Sequence, residues 1–234
     1  MRISQLYVYP VKGCRAVAVE EAALGPLGLE HDRRFAFVGA DDCAVTQRDR
    51  PLLATIEANV DDSGLLLDFA GLAQVMLRFS EFTEPIGIDL WGTRILGRAA
   101  RLDSASDYLG MRVALVMLDA EARRSFADAE PVLVTTTGML SELNLPGIGM
   151  ERFRPNIVVE GNGQWRELRG RDAVLEYAKP CSRCQVTTID QASGARRGPE
   201  PLRNLNERFA GNFGAYCRVA RGGRLRRGET LTAA

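Results

Sequence analysis

Ile3-Ser4-Gln5-Leu6-Tyr7-Val8-Tyr9 opens the chain with the alternation of apolar and polar side chains that marks a half-buried β-strand. The same signature recurs outward from it. Arg34-Phe35-Ala36-Phe37-Val38 reads as a strand, and Leu65 to Phe69 follows the turn-forming Asp61-Asp62-Ser63-Gly64. Gly25-Pro26-Leu27-Gly28, Gly39-Ala40-Asp41-Asp42, Glu84-Pro85 and Trp91-Gly92-Thr93 punctuate these segments at turn-like intervals. A first β-rich unit therefore runs to about residue 100.

Helical patterns follow and are short. Asp103-Ser104 caps one through Leu109, and Thr137 caps another carrying Leu140 and Leu143. Strand patterns then return at Asn156 to Glu160, Ala173 to Tyr177, Gln185 to Ile189 and Tyr216 to Val219, with a Gly222-Gly223 turn and a final strand pair. The expected fold is α+β and predominantly β, with domains over 1–104 and 105–234. No flexible linker separates them, so the two should pack tightly with a ligand pocket between them.

The chain has 234 residues, 46% of them hydrophobic, enough for a sizeable core. Thirty Lys plus Arg balance thirty Asp plus Glu, which removes the basic field of a general nucleic-acid binder. The longest aliphatic run, Val113 to Leu118, is far short of the ~20 residues that cross a bilayer, and the start lacks a signal-peptide apolar block. Five scattered cysteines (Cys14, Cys43, Cys181, Cys184, Cys217) fit a reducing compartment. The expectation is a cytoplasmic protein with neither nucleic acid nor membrane as partner.

Pro180-Cys181-Ser182-Arg183-Cys184 is the sharpest local feature. A zinc site needs about four ligands, yet there is no second C-x-x-C and the single histidine, His31, reads as a surface residue. A thioredoxin-like dithiol should open a helix, whereas Gln185-Val186-Thr187-Thr188-Ile189 reads as strand. Two inert buried cysteines remain open as a reading. Against it stands Arg183, because a guanidinium favours a thiolate, and a thiolate is a soft ligand or a nucleophile.

Arg152-Phe153-Arg154-Pro155-Asn156, if extended, places Arg152, Arg154 and Asn156 on one face, a row of donors suited to a phosphate or a heterocycle edge. An amphipathic edge strand with Arg–carboxylate pairs is the plainer alternative. Thr46-Gln47-Arg48 repeats the arrangement, and Lys12 stands beside a glycine turn. The C-terminal Arg218, Arg221, Arg224, Arg226 and Arg227 read as the solvated side of a closing hairpin. No P-loop, G-x-G-x-x-G, H-E-x-x-H or G-x-S-x-G pattern occurs.

Y-P-V-K-G-C at 9–14, D-R-R-F at 32–35, T-Q-R at 46–48, R-F-R-P-N at 152–156, P-C-S-R-C at 180–184 with T-T-I-D downstream, and F-G-A-Y at 213–216 stand in an order that resembles MOSC proteins. These carry a MOSC N-terminal β-barrel domain before the MOSC domain, and the motifs are most similar to the mitochondrial amidoxime-reducing component and its bacterial counterparts. The resemblance covers nearly the whole chain. It implies a β-barrel-like N-terminal domain packed on a MOSC β-barrel domain, and a molybdenum cofactor in which a pterin dithiolene and a protein cysteine hold the metal.

By that resemblance Cys184 is the metal ligand and catalytic residue, and Cys181 a neighbour without a metal bond. Lys12, Thr46, Arg48, Arg154 and Asn156 fall where the family binds the pterin and its phosphate, and Arg183 lies beside the ligand. The implied activity is reduction of N-hydroxylated compounds (hydroxylamines, amidoximes, hydroxylaminopurines). Two other activities stay open: sulfur transfer through a persulfide on Cys184 or Cys181, and non-catalytic carriage of the cofactor. The chain shows no ferredoxin-type cysteine pattern and no anchoring N-terminus, so the expectation is no iron–sulfur cluster, flavin or zinc, and electrons from a separate donor protein. Gln191-Ala192-Ser193-Gly194 stands where relatives often carry P-x-T-G, a departure that bears on substrate preference.

Overall fold

Ile3, Leu6 and Val8 of the first strand, Ile3–Val8, turn inward in the computed structural model, which describes residues 1–234. Their uneven spacing fits one face because the pairing with Ile157–Val159 shifts register between Ile3 and Gln5, a bulge that returns Leu6 to the core. This strand lies in an eight-stranded sheet ordered Thr232–Ala233, Glu167–Arg169, Val174–Ser182, Asn212–Arg221, Val132–Thr136, Ile157–Val159, Ile3–Val8, Val17–Val19. Only Val132–Thr136 and Ile157–Val159 pair in parallel. Parallel neighbours need a crossover, and this one carries the helix Thr137–Leu143 and the 3-10 turn Met150–Phe153.

The strand Phe35–Val38 is buried on both faces. Phe35 and Phe37 enter one core with Leu53, Phe69 and Leu115, while Ala36 and Val38 enter another with Ile88, Val116 and Phe126. Its sheet continues through Ala114–Leu118, Thr93–Arg101 and Glu84–Leu90. Two three-stranded sheets complete the β-structure, Glu57–Val60 with Gly64–Asp68 and Val75–Arg78, and Gly223–Arg226 with Glu21–Gly25 and Gly28–Leu29. The architecture is α+β and predominantly β, with three α-helices, Asp103–Leu109, Thr137–Leu143 and Leu202–Arg208. The last of these has no counterpart in the sequence reading.

Sheet membership and chain order interleave. The first strands join the core of the second half, where Ile3, Leu6 and Leu24 pack with Val134, Ile157 and Leu175, while Ala114–Leu118 belongs to the sheet of the first half. The 104/105 division therefore does not coincide with a sheet boundary. Strands from each half lie in the other's sheet and fasten the two units together.

The expected helix at Thr137 is present, with Thr136 as its cap: the Thr136 hydroxyl accepts from the Met139 N–H at 3.0 Å. Two strand expectations are corrected. Gln185–Thr188 forms a 3-10 turn, because the Thr187 and Thr188 hydroxyls donate to the carbonyls of Cys184 and Gln185 at 2.9 and 2.7 Å, a local alternative to a ladder. The final strands do not pair with each other: Gly223–Arg226 pairs with Glu21–Gly25, and Thr232–Ala233 with Glu167–Arg169. The arginines expected there are exposed, with Arg224 and Arg226 paired to Glu21 and Arg227 to Glu20, but they line no closing hairpin.

Candidate functional site

The chain leaves its first strand at Tyr9, whose N–H is taken by the buried Asp32 at 2.8 Å, and turns at Lys12-Gly13. Gly13 has a φ of 83°, a conformation that suits glycine and lets the turn close against Leu53. The turn drives Lys12 inward. Its ammonium donates to the Phe126 carbonyl at 2.9 Å and pairs with Asp128. Burial pulls the Lys12 pKa down, and the Asp128 charge opposes that shift only in part. At Asp128 burial pushes the carboxyl up, but Lys12, the Trp91 indole N–H and Arg33 outweigh it and hold the group well below the usual carboxylate range.

Arg152 to Asn156 does not run as an extended row. Met150–Phe153 is a 3-10 turn, and Arg154, barred from the right-handed helix by Pro155, takes a left-handed conformation with φ 53°. Arg152 is thereby sent away from its expected companions, to Asp190 at 3.2 Å and the Thr187 carbonyl at 3.3 Å. Arg154 packs against the Tyr9 ring at 4.3 Å and donates to Gln191 at 3.2 Å. Its second terminal nitrogen, Nη2, is buried with no partner. Burial lowers the Arg154 pKa to about 10, with Arg33 adding to the drop. Asn156 is occupied structurally: its carbonyl oxygen accepts from Leu133 N and Arg33, and its amide donates to the Tyr7 carbonyl.

Thr46-Gln47-Arg48 is a turn. The Thr46 hydroxyl donates to Asp49 at 2.9 Å and accepts from the Arg48 N–H at 3.1 Å, which aims Arg48 across the cavity. The Arg48 guanidinium lies 4.7 Å from the Trp91 ring centroid and donates to Cys184 Sγ at 3.2 Å. Arg183 serves the other thiol: its Nη1 is 2.7 Å from Cys181 Sγ, and its Nη2 donates to the Phe153 carbonyl at 2.8 Å. Arg183 Nε is buried and unpartnered. Cys181 is buried, whereas Cys184 is half-buried at the head of the 3-10 turn.

One cavity of about 250 Å³ collects Lys12, Thr46, Arg48, Arg154, Asn156, Arg183 and Cys184. Sequence reading missed other residues of its wall, including Arg33, Trp91, Asp128, Phe153 and Tyr216. Arg33 stood in D-R-R-F without a distinguishing signal, Trp91-Gly92 reads only as a turn, and Asp128 sits in a stretch without periodicity. Two carboxylates, Asp128 and Glu130, face the cations Lys12, Arg33, Arg48, Arg154 and Arg183, so the cavity suits an anionic ligand.

Residues 1–114 match the model of the MOSC N-terminal beta barrel domain, and residues 121–232 match that of the MOSC domain. The chain is a MOSC-domain protein. It is 29% identical to mitochondrial amidoxime-reducing component 1 of Mus musculus, over 87% of this chain and 70% of the mouse protein. Identity to mitochondrial amidoxime reducing component 2 of Macaca fascicularis is 26%, over 98% of this chain and 82% of that protein. The chain is also 28% identical to molybdenum cofactor sulfurase of Anopheles gambiae, over 94% of its length but only 34% of the mosquito protein. This MOSC protein is thus associated with molybdenum-cofactor function. No helix in it is long and apolar enough to cross a membrane.

The residues present fit such a cofactor. No three His, Cys, Asp or Glu side chains converge on a metal position, so a metal beside Cys184 must bring further donors with it, as a metal held by an organic dithiolene does. Arg154 Nη2 and Arg183 Nε are unpartnered donors at the wall, where anionic groups of that ligand would satisfy them.

Proposed function

We propose that this protein is a molybdenum-cofactor-dependent reductase of N-hydroxylated compounds, with Cys184 as its metal ligand. The observation that carries the reading is the Cys184 thiol, 3.2 Å from Arg48, on the wall of a cavity dominated by cations. When bound, the molybdenum cofactor supplies a two-electron redox centre able to remove oxygen from nitrogen. Arg154, Arg183, Lys12 and Arg48 bind its anionic groups. Thr46 and Asn156 act behind them: Thr46 aims Arg48, and Asn156 holds Arg33 against Asp32 and Tyr9. Trp91 from the first half of the chain and Asp128 from the second close one side of the cavity. The relatives named amidoxime-reducing components support the substrate class. Electrons come from a separate protein in this reading, and the location is cytoplasmic.

The test begins with molybdenum and pterin content after expression in a cofactor-competent host. The loaded protein should then reduce hydroxylamine, amidoxime and hydroxylaminopurine substrates with reduced viologen, and should be inactive with NADH alone until a reductase partner is added. A loaded protein that reduces none of these overturns the reading in favour of a carrier. A metal-free protein bearing a persulfide on Cys184 or Cys181 overturns it in favour of sulfur transfer.

A further inference from the structure

Trp91 is placed against the preferences of its own turn. Leu90 and Thr93 pair directly across a two-residue hairpin, and both turn residues have positive φ, 55° for Trp91 and 77° for Gly92. A turn with two positive φ values favours Asn or Asp before the glycine, and a bulky aromatic there is strained. Strain of this kind persists where surrounding contacts hold it. Here the indole N–H donates to Asp128 at 3.1 Å, and the ring packs on the Arg48 guanidinium at 4.7 Å. Those contacts do not bury the ring: Trp91 is 53% exposed, although it lines the cavity that contains Cys184. A large aromatic side chain is thus fixed in direction at the open edge of the cavity, one residue removed from the Cys184 sulfur through Arg48.

Building on the reductase reading, we propose that Trp91 is the residue that selects substrate, presenting a stacking surface that favours planar aryl or heteroaryl N-hydroxylated compounds over alkyl ones. A fixed ring offers a flat, apolar face at little cost in side-chain freedom, and stacking on it tolerates any planar partner. Asp128 sets its direction and Arg48 backs it. The reacting N–O group, being polar, is then left toward the cations of the cavity.

Molybdenum-loaded protein without reductant, titrated calorimetrically with benzamidoxime and with acetamidoxime, tests binding apart from turnover. The wild type should prefer the aryl probe. Trp91→Leu should lower the ratio of aryl to alkyl affinity roughly three- to tenfold, whereas Trp91→Phe, which keeps a ring, should retain most of it. The same ratio should appear in kcat/KM with viologen as donor. An unchanged ratio in Trp91→Leu, whether both affinities hold or fall together, overturns the proposal, as does a wild type that binds neither probe or both equally. Aryl preference that depends on Trp91 but comes without reduction of any N-hydroxylated compound would uphold the binding role and overturn the reductase reading instead.

Discussion

Gln47 and Gln191, 144 residues apart in the chain, exchange a reciprocal pair of amide hydrogen bonds, each 3.1 Å long. Both are buried, and their remaining donors reach the Gly13 and Ile189 carbonyls, which fixes the orientation of each amide. The Gln191 oxygen also accepts from Arg154. Through Arg154, Gln191 ties its loop to the wall of the cation cavity. Gln47→Leu and Gln191→Leu should each cost about 1–3 kcal/mol, because each strands the partner amide in a dry site. The double variant should cost clearly less than the sum of the two, a coupling read from a double-mutant cycle in urea unfolding. Additive losses would show that the pair contributes nothing as a pair.

Arg48 and Arg154 should be separable by their effects on the empty protein. Arg154 is buried with Nη2 unpartnered, so Arg154→Leu should leave apo-protein stability unchanged or raise it, while cofactor affinity falls roughly tenfold to a hundredfold. Arg48→Ala removes the donor to Cys184 Sγ and should lower molybdenum content by a similar factor with little change in apo-protein unfolding. Metal analysis of the purified variants, paired with urea titrations of metal-free protein, checks both. Equal molybdenum content in all folded variants would return the arginines to a structural role.

The cavity was legible in the sequence as a set of residues, but its internal pairing was not. Donor-rich motifs pointed to Lys12, Thr46, Arg48, Arg154, Asn156 and Arg183, the family resemblance chose Cys184 over Cys181, and these residues line one cavity. Period-two reasoning failed at the two turns that aim them. In Gln185–Thr188 the β-branched run reads as strand, yet threonine hydroxyls satisfy the backbone locally. At Arg154, Pro155 excludes the right-handed helix without choosing between extended and left-handed backbone. Sequence proximity also pointed Arg183 at the thiols as a group, whereas tertiary packing gives Cys181 to Arg183 and Cys184 to Arg48, 136 residues away.

This division of labour sharpens the expectation for the two cysteines. Cys184→Ser should lose molybdenum, since the half-buried thiol on the cavity wall is the only protein ligand proposed there. Cys181→Ser should keep the metal and lose stability, because Cys181 is buried and anchors Arg183, which in turn holds the Phe153 carbonyl. Molybdenum content and urea midpoints of the two variants decide the point. Full metal content in Cys184→Ser with loss in Cys181→Ser would reverse the assignment.

Two other thiols should be visible in the pH dependence of folding. Burial pushes Cys14 and Cys217 each up to about 12, with the Arg154 charge and the Trp165 indole only partly opposing it. A free thiol in the unfolded chain titrates near ~8.5. Between that value and 12 the folded state keeps protons that the unfolded state gives up, so the stabilisation is complete below ~8.5 and is lost as pH rises, at about 1.4 kcal/mol per pH unit for each thiol. Arg154 acts in the opposite sense, but only above about 10, where its folded form releases a proton that the unfolded chain retains. The useful window is therefore pH 8.5 to 10. Lys12, whose pKa is lowered, contributes equally to wild type and cysteine variants and cancels in their difference. Unfolding free energies at closely spaced pH values across that window, under reducing conditions, should fall less steeply in Cys14→Ala and in Cys217→Ala than in the wild type, the difference growing from about 0.7 kcal/mol per unit at pH 8.5 to about 1.4 near pH 10. Each variant will be weaker overall from lost packing, but that offset is constant in pH, and only the slope reports the proton. Slopes identical to the wild type would mean that both thiols ionise as freely in the folded protein as in the unfolded chain.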